Sequence, residues 1–219
     1  MLVLVLCAHA GPGPAFPSTA VPMTAPRPEA FVPAGWALAG DSGASALGVE
    51  VWPAGAAEGD LTGDGVADRV LVLEPADKVG KVARPGCVEC EGEDWTRVIV
   101  VLEAFGTAWM RVAVADWGDA SLSARIDQGR LVVTTAARSD DGTRAEALVY
   151  RLDSPKFLLE NRVLDVRTST FDDEGYTRER VTEDWVAHLR VVEKGTPLAE
   201  DVRQKFTGAR TLEAGPPPR

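Results

Sequence analysis

Two unbroken apolar runs, Val70-Leu71-Val72-Leu73 and Val98-Ile99-Val100-Val101-Leu102, set the tightest limit on how this chain folds. Successive side chains of a β-strand point to opposite faces, so a run with no polar residue implies a strand buried on both. Further apolar or alternating segments of strand length are Ala46–Trp52, Arg69–Glu74, Thr96–Glu103, Trp109–Ala115, Leu122–Ile126, Arg130–Ala136 and Ala145–Leu152. Turn residues separate them: Gly106, Trp117-Gly118-Asp119, Gln128-Gly129 and Asp140-Asp141-Gly142. The pattern predicts a mainly β domain of antiparallel hairpins, forming either a sandwich or a propeller-like stack of small sheets. Phe157–Thr170 reads as one long strand or two broken ones. Across Val181–Val192 a helical stripe (Val181, Trp185, Leu189, Val192) competes with a strand face interrupted by Glu183, and the β context favours the strand.

Composition divides the chain. Residues 11–35 carry Pro12, Pro14, Pro17, Pro22, Pro26, Pro28 and Pro33 with almost no charge, and residues 214–219 read Ala-Gly-Pro-Pro-Pro-Arg. Proline donates no backbone hydrogen bond, so this density predicts a disordered or extended linker over 11–35 and a flexible tail over 196–219. The single β-rich domain then spans 36–195. A net charge of −10 and a pI near 4.8 set the surface against a phosphate backbone, which excludes nucleic acid as a partner. No run of about 18 apolar residues is present, so no ordinary membrane-spanning helix is encoded.

Residues 1–10, Met-Leu-Val-Leu-Val-Leu-Cys-Ala-His-Ala, read as the remnant of a secretory signal. Ala8-His9-Ala10 gives a small-x-small cleavage site, although no basic segment precedes the apolar one. A start upstream of Met1 would complete the signal. A lipoprotein reading would use Cys7, but Leu6 is bulky where a small residue is needed. An apolar terminus without a role is the plain alternative. Export to the periplasm or beyond is the favoured expectation. Cys87 and Cys90 agree with it. They lie in a hydrophilic Pro/Gly loop with no second cysteine or histidine pair to complete a zinc site, and no helix context for a thioredoxin motif. A local disulfide is expected, against two idle thiols.

The most chemically specific stretch is Gly59-Asp60-Leu61-Thr62-Gly63-Asp64-Gly65-Val66-Ala67-Asp68, which leads straight into the first apolar run. Asp60, Thr62, Asp64 and Asp68 occupy positions 1, 3, 5 and 9 of a glycine-bent loop, the spacing with which oxygen ligands wrap a calcium ion. Close carboxylates repel one another, and a hard divalent cation relieves that repulsion. The plain alternative is an acidic β-turn whose aspartates cap backbone amides. An EF-hand fits poorly, because Leu71 stands where a bidentate glutamate is required.

The loop and its Val-Leu-Val-Leu-Glu strand resemble the calcium-binding loops of FG-GAP and VCBS-type repeat proteins. The order of later features resembles a group of exported bacterial proteins of uncharacterised function: the Val98–Leu102 strand, a hairpin, Tyr150-Arg151, Phe157-Leu158-Leu159, Thr168–Asp172 and the turn Asp173-Glu174-Gly175. The likeness covers roughly residues 56–190. It implies a structural Ca²⁺ held by Asp60, Thr62, Asp64, the Val66 carbonyl and Asp68. Thr62 departs from the usual Asp or Asn, and only one such loop is found where a repeat protein would have several. Affinity in the range of about 10⁻⁴–10⁻³ M, as in extracellular modules, is expected.

Catalytic apparatus is harder to assemble. The histidines are His9 and His188, and no Gly-x-Ser-x-Gly elbow, Walker loop or zincin helix occurs. Asp172/Asp173 and Glu183/Asp184 are the acidic pairs that a glycosidase would need. Two functions follow. The favoured one is a non-enzymatic exported β-module with a structural calcium loop, engaging an envelope protein or a glycan. The alternative is a carboxylate-based hydrolase acting on cell-wall or glycan material.

Overall fold

The two apolar runs pair with each other as neighbouring antiparallel strands, Val70 opposite Val101 and Val72 opposite Ile99. The computed structural model describes residues 16–40, 55–79, 95–119, 122–139, 142–153, 156–169, 176–195 and 197–212. The strand expected at Ala46–Trp52, the signal remnant and the Cys87/Cys90 staple lie outside the described residues. In chain order the strands are β1 (Thr24–Ala25), β2 (Trp36–Leu38), β3 (Ala56–Gly59), β4 (Asp68–Pro75), β5 (Arg97–Phe105), β6 (Ala108–Asp119) and β7 (Ser123–Asp127). They continue with β8 (Arg130–Ser139), β9 (Gly142–Asp153), β10 (Lys156–Ser169), β11 (Tyr176–Asp184), β12 (Leu189–Lys194) and β13 (Ala199–Lys205). No α-helix occurs among the described residues.

Two antiparallel sheets result. The first runs β1-β6-β5-β4-β2, with β3 pairing the other end of β4. The second is a seven-stranded meander in which each strand from β7 to β13 pairs with the next, and it curls into a half-barrel. The sheets share a core. Val70, Val72, Ile99 and Val101 from the first meet Leu131, Val133, Leu148, Tyr150, Phe157 and Leu159 from the second. Each such side chain contributes on the order of 1.5–3 kcal/mol when removed from water.

The other face of the first sheet explains why its strands have no polar side. Leu71, Leu73, Val98, Val100 and Leu102 are covered by Phe16, Val21, Ala25, Phe31 and Trp36. The cover is the proline-rich segment, which corrects the linker expected over 11–35: from Phe16 onward it belongs to the fold. Prolines bar it from the sheet interior but permit short 3₁₀ turns at Ser18–Ala20 and Pro28–Phe31, and between them Val21 and Ala25 turn inward. Phe16 meets Trp36 edge to face, ring centroids 4.9 Å apart.

The C-terminal segment is corrected in the same way. β13 lies inside the region expected to be a tail, and beyond it the chain returns to β10, with Leu159 N–H donating to the Arg210 carbonyl at 2.8 Å and Leu212 fully buried. The segment expected as one strand or two from Phe157 onward is one strand, β10, as far as Ser169, with a bulge between Leu159 and Asn161. Val181–Val192 is two strands and a turn rather than one. Asp184 ends β11 by accepting the Val186 and Ala187 amides at 3.0 and 2.7 Å, and His188 takes φ +52° in the tight turn.

Candidate metal centre

The loop predicted to hold calcium closes the β3–β4 hairpin, where Gly59 pairs with Asp68. Gly63 and Gly65 adopt φ near +80° and +83°, a region closed to most side chains, so the loop needs glycine for conformation. Gly59 is needed for space, because a Cβ there would lie 2.6 Å from Ile126 Cγ2 on β7. Leu61 is buried in the shared core and anchors the loop from inside.

Asp60 is the hub. Its Oδ1 accepts the Gly63 amide at 2.6 Å and the Thr62 hydroxyl at 3.3 Å, while Oδ2 accepts the Gly65 amide at 2.9 Å. The Gly65 amide bond, with the Gly63 amide and the Thr62 hydroxyl, holds the Asp60 carboxyl below its ordinary value of 3.8 despite some loss of water. Asp64 Oδ1 accepts the Val66 amide at 2.8 Å. Asp68 is buried and accepts three amides: Leu61 at 2.8 Å, Thr62 at 3.2 Å and, from β5, Ala104 at 3.0 Å.

The structure therefore brings Asp60, Thr62, Asp64 and Asp68 into one loop, with each carboxylate turned onto backbone N–H groups. Among the described residues, no three acidic, histidine or cysteine side chains converge as metal ligands. The donor chemistry nonetheless suits a hard cation, since an ionised carboxylate has about four lone-pair sites and amide bonds use only some of them. Leu71, at the twelfth position, faces the buried side of the first sheet, so a bidentate ligand there is ruled out.

Glu103 was not visible from the motif. The β4–β5 register ends with Arg69 opposite Leu102, one step short of Asp68 and Glu103. Burial, then the charges of Asp68 and Asp64, push the Glu103 carboxyl above its ordinary value of 4.5. The loop carboxylates Asp68 and Asp64 thus repel Glu103 across the hairpin. Only the hairpin register could have revealed Glu103, because it is remote from the loop in sequence.

Of the carboxylates expected for hydrolysis, Glu183 and Asp184 are separated. Glu183 and Asp184 are adjacent on β11 and so point to opposite faces of the sheet. Glu183 lies on the inner face, 3.3 Å from Arg162 Nη1, whose Nε donates to Glu146 at 2.6 Å. Asp184 caps the turn described above, and Asp172 and Asp173 lie outside the described residues. No protein family, curated protein or solved structure was found to match this chain.

Proposed function

We propose that this protein is a non-enzymatic exported β-module that engages envelope material, a protein or a glycan, with its β3–β4 loop braced by calcium. The observation that carries the non-enzymatic reading is the state of its buried carboxylates. Glu74, Glu146 and Glu183 are tied to Arg97 and Arg162, and Asp68 to three backbone amides, so each is committed to holding strands together. A carboxylate neutralised in this way is a poor general acid or nucleophile. His188, in the β11–β12 turn, lies with its ring 5.8 Å from that of Phe206.

The repulsion of Glu103 by Asp68 and Asp64 supports the calcium brace. Asp60, Thr62, Asp64, the Val66 carbonyl and Asp68 would supply its oxygens, and the ion would neutralise the repulsion. The test has two parts. Calcium at millimolar concentration should raise the melting temperature, and magnesium should do so less; no rise with calcium removes the brace. The chain should be retained on envelope glycans or proteins without turnover. Hydrolysis that disappears when one acidic pair is replaced would establish the alternative, a carboxylate-based hydrolase.

A further inference from the structure

On the outer face of the half-barrel, β10 and β11 set Arg167 directly opposite Arg178 and Asp165 opposite Arg180. Strand alternation places Asp165, Arg167, Tyr176, Arg178 and Arg180 together, on the side away from buried Val181 and Glu183. Three guanidiniums converge on the one carboxylate of Asp165. Arg178 Nε lies 3.0 and 3.1 Å from its two oxygens, with Arg178 Nη2 also bonded. Arg180 Nη2 lies at 3.3 Å and Arg167 Nε at 3.8 Å. Glu193, opposite Arg180 on β12, is the next acid of this face, and Glu200, opposite Glu193 on β13, is tied to Arg203.

The Arg167–Arg178 pairing within this cluster works against stability, and Asp165 offsets part of its cost. Like charges directly opposite on neighbouring strands destabilise a sheet, and here three cations meet two anions. Among the described residues the local surplus is positive, on a chain whose net charge is −10. Packing does not require it: the Arg167 side chain is 50 % exposed. Its guanidinium reaches over the ring of Tyr176, 5.7 Å from the centroid, and Tyr176 is 47 % exposed. Arg180 Nε is shielded from solvent and has no hydrogen-bond partner among the described residues. An exposed ring beside under-neutralised guanidinium forks is a recognition surface for a flat ligand bearing carboxylates.

We propose that this face binds an acidic glycan, with Tyr176 stacking on a sugar ring and Arg167 and Arg180 holding its carboxylate. The inference rests on the reading of the protein as an envelope-binding module and narrows it to one ligand class. An open antiparallel sheet face suits an extended polymer, and the negative charge elsewhere on the chain disfavours nucleic acid. The acids of the β10–β11 connection, Asp172, Asp173 and Glu174, lie outside the described residues. If they neutralise the patch, the binding below will be absent.

The test measures binding of the full chain to polygalacturonate, to its methyl-esterified form and to dextran sulfate, at low and high salt. Polygalacturonate should bind in a salt-sensitive manner, and the methyl ester should not. Arg167→Glu and Tyr176→Ala should each weaken binding about tenfold or more, while Arg203→Glu, the same charge change on exposed β13, leaves it unchanged. Thermal melts check that each variant is folded. Equal binding of the methyl ester, or of dextran sulfate, overturns the assignment to carboxylates. Equal losses for Arg167→Glu and Arg203→Glu reduce the effect to net charge and overturn the patch. Retention on neutral envelope glycans without polygalacturonate binding defeats this assignment alone, whereas retention on no envelope glycan or protein defeats the wider reading too.

Discussion

Arg97 and Glu74 form an ion pair buried between β4 and β5, their side chains 2 % and 1 % exposed. Arg97 Nε donates to Glu74 Oε2 at 2.8 Å, and Trp95 Nε1 donates to the same oxygen at 3.4 Å. The remaining capacity goes to backbone: the Gly40 amide donates to Glu74 Oε1, and Arg97 donates to the carbonyls of Gly40 and Leu122. The pair therefore links the first sheet to the chain after β2 and to the residue entering β7. Replacing Arg97 by Ala strands a buried carboxylate and should cost about 3–5 kcal/mol in urea unfolding. Arg97→Met with Glu74→Leu should recover part of that loss, since neither charge is then orphaned. A single variant within about 0.5 kcal/mol of the parent would show the pair to be dispensable.

Asp60→Ala separates the two roles of the metal loop. The carboxylate organises the Gly63 and Gly65 amides without any ion, so its loss should lower the melting temperature even in chelator. It should also abolish the rise in melting temperature caused by calcium. If the variant keeps the full calcium shift, Asp60 is no ligand and serves only as a turn acceptor.

Most strands were legible in the sequence because burial on one or both faces imposes a period that local reading detects. The runs at Val70–Leu73 and Val98–Leu102 even announced that both faces of the first sheet would be covered. What covers them was not legible. Prolines between Phe16 and Trp36 mask the apolar residues that turn inward, and composition alone reads such a segment as a tether. The boundary between β11 and β12 was also hidden, because Asp184 makes its turn by side-chain capping with no Gly or Pro to mark it. Within the candidate metal site, the loop residues are contiguous and announce themselves. Glu103 belongs to the site only through strand register, which no local motif records.

Glu103→Gln should be mildly stabilising in chelator at neutral pH. Burial and the carboxylates of Asp68 and Asp64 raise its pKa, so the native state holds that proton more tightly than the unfolded chain does. Ionisation of Glu103 as pH rises therefore costs stability, and the amide removes the cost. Solvent screens the partly exposed group, so the gain should stay below about 1 kcal/mol. Calcium should shrink the difference by neutralising the same field. A destabilised Gln variant in chelator would contradict this account.

Asp165 gives the opposite sign. Burial raises its pKa, but the hydrogen bonds and charges of Arg178 and Arg180 outweigh burial and leave it below the ordinary 3.8. Its contribution is complete above that ordinary value and is lost as pH falls through the lower, folded one. Melting temperatures from about pH 5 downward should therefore fall less steeply in Asp165→Asn than in the parent. The Asp165 side chain is 19 % exposed and its arginine partners are partly open to solvent, so screening should keep the difference below about 1 kcal/mol. Identical acid limbs would mean that the three arginines are not held by this carboxylate in solution.

Phe31→Ala tests whether the proline-rich segment is a cover or a tether. Phe31 is fully shielded from solvent, and its cluster includes Leu73, Val98 and Val100 on the outer side of the first sheet. Truncating a buried phenylalanine leaves a cavity as well as losing transfer free energy, so the expected cost is about 3–5 kcal/mol. A residue in a flexible linker would cost less than about 0.5 kcal/mol. The exposed Met23 serves as a control within the same segment: Met23→Ala should fall near that lower figure, apart from its contact with Arg111. Equal and small effects at Phe31 and Met23 would return residues 16–35 to the role of linker. They would also leave β4 and β5 with an apolar face open to water, which their composition argues against.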